Sequence, residues 1–247
     1  MPLKHVVRSI INKLGYEVRR VRPLQAIETP NIPDSDLYRP LFSPWLGNGD
    51  FGRYYKLAAP KTLVSADRCY VLYTLLLQAI HIAGDFWECG VYKGGTAAMM
   101  AAVLRDEKRS KRLYLFDTFE GMPETDSKRD WYKKGDFSDT TVEAVTSYVG
   151  CERLCIVRKG LIPDSFAGLE CAQIAFAHID VDIYKSILDC MSFVWPRLSF
   201  GGFIVFDDYG FRTCPGARAA VDEFFSAKTC VPLCLPTGQA IVFKGVA

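Results

Sequence analysis

No apolar run in this 247-residue chain is long enough to cross a bilayer, and no signal-peptide core opens it. The expectation is therefore a chain that stays in the cytoplasm. An excess of one charge is also missing. Thirty Lys and Arg stand against 28 Asp and Glu, a net +2, which leaves no electrostatic footprint for a nucleic acid. The nine cysteines lack zinc-ligand spacing. Cys151/Cys155 and Cys230/Cys234 have no second pair and no His to complete them. Cys89, Cys190 and Cys230 sit inside apolar patterns as small buried hydrophobes. Free thiols fit a reducing compartment. No internal repeat recurs at a fixed period.

What is present suits one α/β domain with additions, because 49% hydrophobic residues can fill a sizeable core. Residues 1–22 are basic and carry Val6, Val7, Ile10, Ile11 and Leu14 at helical spacing before Gly15. Such a helix docks on the domain or on a second subunit, or makes at most peripheral contact with an anionic membrane. Residues 23–60 are rich in proline and aromatics and read as an ordered, irregular arm. That arm would wrap the core, and it also suits a homo-oligomer interface. The expected division is an extension over 1–60, not an independent domain, and a main domain over 61–247.

The main domain reads as strands alternating with helices. Residues 62–83 predict a helix capped by Ser65 or Thr62. A strand then runs into the turn Glu88-Cys89-Gly90-Val91-Tyr92-Lys93-Gly94-Gly95 and an Ala/Met-rich helix. The glycines allow close backbone approach to a ligand, and the helix N-terminus offers free N–H groups. The spacing differs from the dinucleotide Gly-x-Gly-x-x-Gly pattern. Arg112–Asp117 is a second strand, and the acid at its tip is placed for ribose hydroxyls. Residues 124–140 are charged and aromatic with weak periodicity and read as a lid. A helix over 141–150 is capped by Asp139 or Thr140, and Leu154–Arg158 forms a third strand. Two further strands, around Ala175–Ile179 and Phe203–Phe206, each end in a pair of acids. Residues 229–235 and 239–244 close the chain as a hairpin. Five strands alternating with helices imply a doubly wound, mostly parallel α/β sheet.

In a Rossmann-like order strand four lies beside strand one, and strand five beside strand four. Asp180, Asp182, Asp207 and Asp208 then converge in one crevice beside the glycine turn. Four anions that close need a cation or protons, and a hard divalent metal held by oxygens is the natural compensator.

Four blocks carry a resemblance: Glu88–Thr96, Phe116–Pro123, His178–Tyr184 and Gly201–Tyr209. In this order and spacing they closely resemble the macrocin O-methyltransferase (TylF-like) family, over roughly Thr62 to Phe243. The resemblance implies a class I, Rossmann-like methyltransferase fold with an antiparallel C-terminal strand. It also implies an S-adenosylmethionine- and Mg2+-dependent enzyme acting on a sugar hydroxyl. Its metal ligands correspond to Asp180, Asp207 and Asp208, and its general base to Asp182. Its cofactor site corresponds to Glu88, Gly90, Val91, Tyr92, Gly94, Gly95, Asp117, Thr118 and Phe119, with Asp180 beside them. Thr62 and Ser65 correspond to contacts at the methionine end, and Asp136, Phe137 and Ser138 to a segment closing on the adenosine.

The chemistry agrees with that implication. A sugar hydroxyl is a poor acid and needs a cation against its developing charge and a base for its proton. A glycan or glycosylated small molecule with vicinal hydroxyls would suit such a site. On an extended chain Asp180 and Asp182 point the same way. Lys185 is the rival base, as in metal-dependent catechol methyltransferases, but an acid-rich pocket would hold it protonated. His178 is expected to pack behind the site. Two other functions remain open: a catechol or phenol O-methyltransferase, and a glycosyltransferase reading Asp180-Val181-Asp182 as its metal motif. The glycine turn with Asp117 speaks against the latter. No Asn/Asp-Pro-Pro-Tyr/Phe stretch is present for nucleic-acid base amines.

Overall fold

A computed structural model describes residues 43–47, 49–108, 110–150 and 153–245. The predicted basic helix over 1–22 and the arm up to residue 42 lie outside the described residues. The elements are α1 Asp50–Ala58, α2 Ala66–Ala79, β1 Asp85–Cys89, α3 Gly95–Asp106, β2 Leu113–Asp117, α4 Val142–Val149, β3 Cys155–Lys159, β4 Ile174–Ile179, α5 Tyr184–Arg197, β5 Leu198–Phe206, α6 Pro215–Phe225, β6 Leu233–Cys234 and β7 Ala240–Phe243.

The seven strands form one sheet in the order β3-β2-β1-β4-β5-β7-β6. β1 to β5 pair in parallel. β7 runs antiparallel to β5, and β6 antiparallel to β7. This is the expected doubly wound sheet, with β4 between β1 and β5. The central strands are buried on both faces, which is why they read as unbroken apolar runs. Successive residues alternate between two cores. Phe86, Phe176 and Val205 face the layer that holds Phe51, Leu72 and Met99. Trp87, Ala177 and Ile204 face the layer that holds Met191 and Val221. Helices α1 to α3 thus cover one face, and α5 and α6 the other.

Local differences from the sequence reading have physical reasons. α2 begins at Ala66 rather than Thr62, with Ser65 at the N-cap position. Residues 62–65 stay outside the helix, and Thr62, Leu63 and Val64 border a cleft. The arm is less irregular than expected, because residues 50–58 form α1. Phe51, Tyr54 and Ala58 recur at helical spacing and are buried. The aromatics of α1 pack against Tyr70 and Tyr73 of α2. α4 is capped by Thr141, whose Oγ1 accepts from Ala144 N at 3.1 Å, one residue beyond the expected caps. Among the described residues, no helix is long and apolar enough to cross a membrane.

Two glycines fix how the cleft is built. Gly90 leaves β1 at φ +87, and a Cβ there would lie 1.8 Å from the carbonyl oxygen of Asp180. Gly95 starts α3 where a Cβ would lie 2.6 Å from Ala58 O, so the chain entering from α1 crosses directly over it. Gly90→Ala combines a backbone clash with a left-handed conformation. It is expected to cost at least about 2 kcal/mol, read as a lower midpoint in urea unfolding at unchanged slope.

Candidate active site

The parallel sheet opens a crevice at the C-terminal ends of β1, β4 and β5. The backbone ladder runs one residue past these strands. Asp180 N donates to Cys89 O at 2.8 Å, and Asp207 N donates to Ile179 O at 3.0 Å. The predicted acids therefore stand side by side. Asp207 and Asp208 are buried, while Asp180 and Asp182 open onto a cleft of about 280 Å³.

Asp182 does not sit on an extended chain, as the sequence reading assumed. Its φ is +55, and Ile183 N reaches back to Val181 O at 2.5 Å across it. That is a three-residue turn of the strained hand. The side chain still lines the cleft with Asp180, and its Oδ1 accepts from Cys214 Sγ at 3.5 Å.

Asp207 is compensated from within the chain. Gln239 Nε2 donates to its Oδ1 at 2.8 Å, and His178 Nε2 lies 3.4 Å from the same oxygen. The Arg68 guanidinium pairs with its Oδ2. Arg68 is itself held by Leu63 O at 2.9 Å and Ser65 Oγ at 3.1 Å, and lies over the Phe211 ring. His178 bridges onward to Glu88 Oε1 at 3.1 Å. Both Glu88 and His178 are fully buried behind the cleft.

The charges then separate. Burial disfavours the His178 imidazolium, but Asp207 and Glu88 outweigh it and raise its pKa to about 9. Burial also works against the Asp207 carboxylate, yet His178, Arg68 and Gln239 hold it below its ordinary range. The other three acids are compensated less, although Arg68 and His178 also act on Asp208. Burial, then Asp207, raise Asp208 to about 6. Burial and the surrounding aspartates push Asp180 well up, and burial and Asp208 do the same to Asp182. Asp208 Oδ2 is buried without a hydrogen-bond partner. Five acids, Glu88 included, thus face two cations, Arg68 and His178. Carboxylates short of positive charge, with one orphaned oxygen, fit a hard divalent ion. The described side chains gather as two groups, His178–Asp180–Asp207 and Asp182–Asp208–Cys214, each with its ligand atoms within 4.8 Å. The three expected metal ligands divide between them.

The glycine turn forms the neighbouring wall. Asp117 Oδ2 accepts from Val91 N at 2.7 Å and Tyr92 N at 2.9 Å, and its Oδ1 accepts from Phe119 N at 2.7 Å. The carboxylate thereby braces the turn while still lining the cleft. Thr62, Gly90, Val91, Tyr92, Thr118, Phe137 and Asp180 also line it. Ser65, Glu88, Gly94, Gly95, Phe119, Asp136 and Ser138 stand behind or beside that lining. Tyr92, Phe137 and Tyr132 stack edge to face as a roof. Tyr92, Phe119, Phe137 and Asp182 all carry positive φ, so backbone strain concentrates around this cleft.

The segment 124–140 is fastened near its middle and at its C-terminal end. Asp130 Oδ1 accepts from Tyr184 N at 2.9 Å, capping α5, and Tyr92 OH donates to Asp139 Oδ1 at 2.9 Å. Lys185 is turned away from the cleft and pairs with Asp189 at 2.7 Å on the exposed side of α5. Arg68, Gln239, Cys214 and Tyr132 were not foreseen. Arg68 stands out in the sequence as a charge at an apolar position of α2, and Tyr132 lies in the aromatic segment 124–140 read as a lid.

Comparison with known proteins agrees with this geometry. The family profile described as Macrocin-O-methyltransferase (TylF) matches residues 61–233. The chain is 30% identical over 237 residues to the 8-demethyl-8-(2,3-dimethoxy-alpha-L-rhamnosyl)-tetracenomycin-C 4'-O-methyltransferase of Streptomyces olivaceus, covering 89% of this chain and 82% of that protein. It is 26% identical to the demethyldecarbamoylnovobiocin O-methyltransferase of Streptomyces niveus, over 58% of this chain and 59% of that one. The solved structure of the O-methyltransferase NovP superposes with a TM-score of 0.67 at 22% identity, covering 75% of this chain and 83% of that chain.

Proposed function

This chain belongs to the macrocin-O-methyltransferase family, and on that premise we propose that it methylates one hydroxyl of a sugar, borne by a natural product or a glycan, with magnesium assisting the family's S-adenosylmethionine-dependent transfer. The observation that carries this reading is the charge-deficient set of acids at the ends of β4 and β5. The relative from Streptomyces olivaceus is named for a rhamnosyl-bearing compound, which supports a sugar as acceptor.

Asp180, Asp207 and Asp208 would hold the magnesium ion. Bound there, it would supply positive charge against the oxygen anion that develops on the acceptor. S-adenosylmethionine, when bound, would supply the methyl group, and Asp182 would take the proton of the acceptor hydroxyl. The Cys214 thiol hydrogen bond orients the carboxylate for that task. Asp117, through Val91 N and Tyr92 N, keeps the glycine turn open to the donor. Tyr92, Tyr132 and Phe137 cover the cleft and exclude water, which strengthens every electrostatic contact beneath them. Arg68, Gln239 and His178 hold Asp207 ionised and in place.

The turned-away Lys185 speaks against the catechol-type alternative. A panel of glycosides with vicinal hydroxyls, set against catechols and scored by mass spectrometry, tests the reading. The expected outcome is a single added methyl on a glycoside and none on the catechols. Methylation of catechols alone would overturn it.

A further inference from the structure

Cys214 lies in the loop just before α6 and is 2% exposed. Its sulfur faces the acids. The Sγ lies 3.5 Å from Asp182 Oδ1, and the ligand atoms of Asp182, Asp208 and Cys214 all fall within 4.8 Å of one another. Asp208 is 8% exposed, and its Oδ2 has no partner. This group differs in kind from the all-oxygen set Asp180, Asp207 and Asp208. A thiolate adds nothing for magnesium, which wants hard oxygens, but it favours zinc and its softer relatives.

The spacing agrees as well. A tetrahedral ion with a metal–sulfur bond of about 2.3 Å and a metal–oxygen bond of about 2.1 Å sets its sulfur and oxygen roughly 3.6 Å apart. The observed 3.5 Å between Cys214 Sγ and Asp182 Oδ1 matches that spacing, and the Asp208 oxygen lies within 4.8 Å of both. Two carboxylates, one thiolate and a water complete four-coordination.

We propose that Asp182, Asp208 and Cys214 form a second cation site, selective for zinc and other thiophilic divalent ions, and that filling it shuts the enzyme off. Binding breaks the Cys214 S–H bond, forms a sulfur–metal bond and releases the proton to solvent. It takes Asp208 from the magnesium set and Asp182 from the acceptor's proton at the same time. The binding stands on the three side chains alone, whereas the inhibition rests on Asp182 as the base.

Cadmium reports thiolate ligation through an ultraviolet sulfur-to-metal charge-transfer band. The metal-free full chain is titrated with cadmium alongside Cys214→Ser and Cys214→Ala. The other cysteines give a background common to all three proteins. The expected result is a saturable band in the wild type that both variants lose, with zinc inhibition at fixed magnesium weakened by roughly tenfold or more. Identical bands in all three proteins overturn the site, as does zinc inhibition that the variants do not relieve. Zinc-edge X-ray absorption compares the wild type with Cys214→Ala. A sulfur in the first coordination shell that the variant loses supports the site, and a wild-type shell of oxygen and nitrogen alone overturns it. A lost band combined with full turnover by Asp182→Asn leaves the cation site standing and removes only the base.

Discussion

Asp182→Asn is expected to lower turnover by roughly 100- to 10,000-fold, the range a positioned general base supplies. The amide is close in size to the carboxylate and can fill the same turn, so S-adenosylmethionine and magnesium binding by calorimetry should remain near wild type. The pH profile carries a second signature. Asp182 must be deprotonated to act, so wild-type kcat/KM rises with pH through its pKa and falls as pH drops below it. Burial and Asp208 push that pKa up, bringing the limb toward neutral pH, while a cation beside the acids pulls it back down. Asp182→Asn should abolish this limb. A variant that keeps wild-type turnover and the same acid limb would remove Asp182 from the mechanism.

Chelation should have an effect of comparable size. A bound divalent ion supplies several kcal/mol of charge stabilisation, which corresponds to a loss of about 1,000-fold on removal. Dialysis against EDTA should leave the fold intact, because Arg68, His178 and Gln239 already compensate Asp207 without any ion. Returning magnesium should restore activity, and far-ultraviolet circular dichroism should not change across the cycle. Full activity after EDTA would remove the metal from the mechanism.

The sheet order and the meeting of the acids were legible because acid-tipped apolar runs and glycine turns are local signals. Buried parallel strands need unbroken Val, Ile, Phe and Ala runs, so Ile174–Ile179 and Phe203–Phe206 could be recognised without partners. What escaped was non-local or conformational. Gln239 reaches Asp207 from β7's leading edge, and nothing in its neighbourhood of turn residues marks it. Arg68 belongs to a helix whose other buried positions are apolar, and its partner lies 139 residues further along. The turn at Asp182 was misread because Asp-Val-Asp after a strand looks extended. Its positive φ falls at the junction of β4 and α5, where no glycine signals it. The role of Asp117 was half visible. Its place at the strand tip could be read, but its bonds to Val91 N and Tyr92 N depend on how closely β1 and β2 finish together.

The ion pair between Arg68 and Asp207 has an evolutionary consequence. The residues that line the donor wall come before residue 140, and the acids that meet the acceptor come after residue 178. Arg68–Asp207 in the cleft and Glu88–His178 behind it are bonds that stitch these two stretches together. A lineage could therefore diversify its acceptors by recombining the later stretch while inheriting the donor wall unchanged. Each crossover would have to bring both partners of those two pairs along, or leave a charge stranded in the middle of the protein.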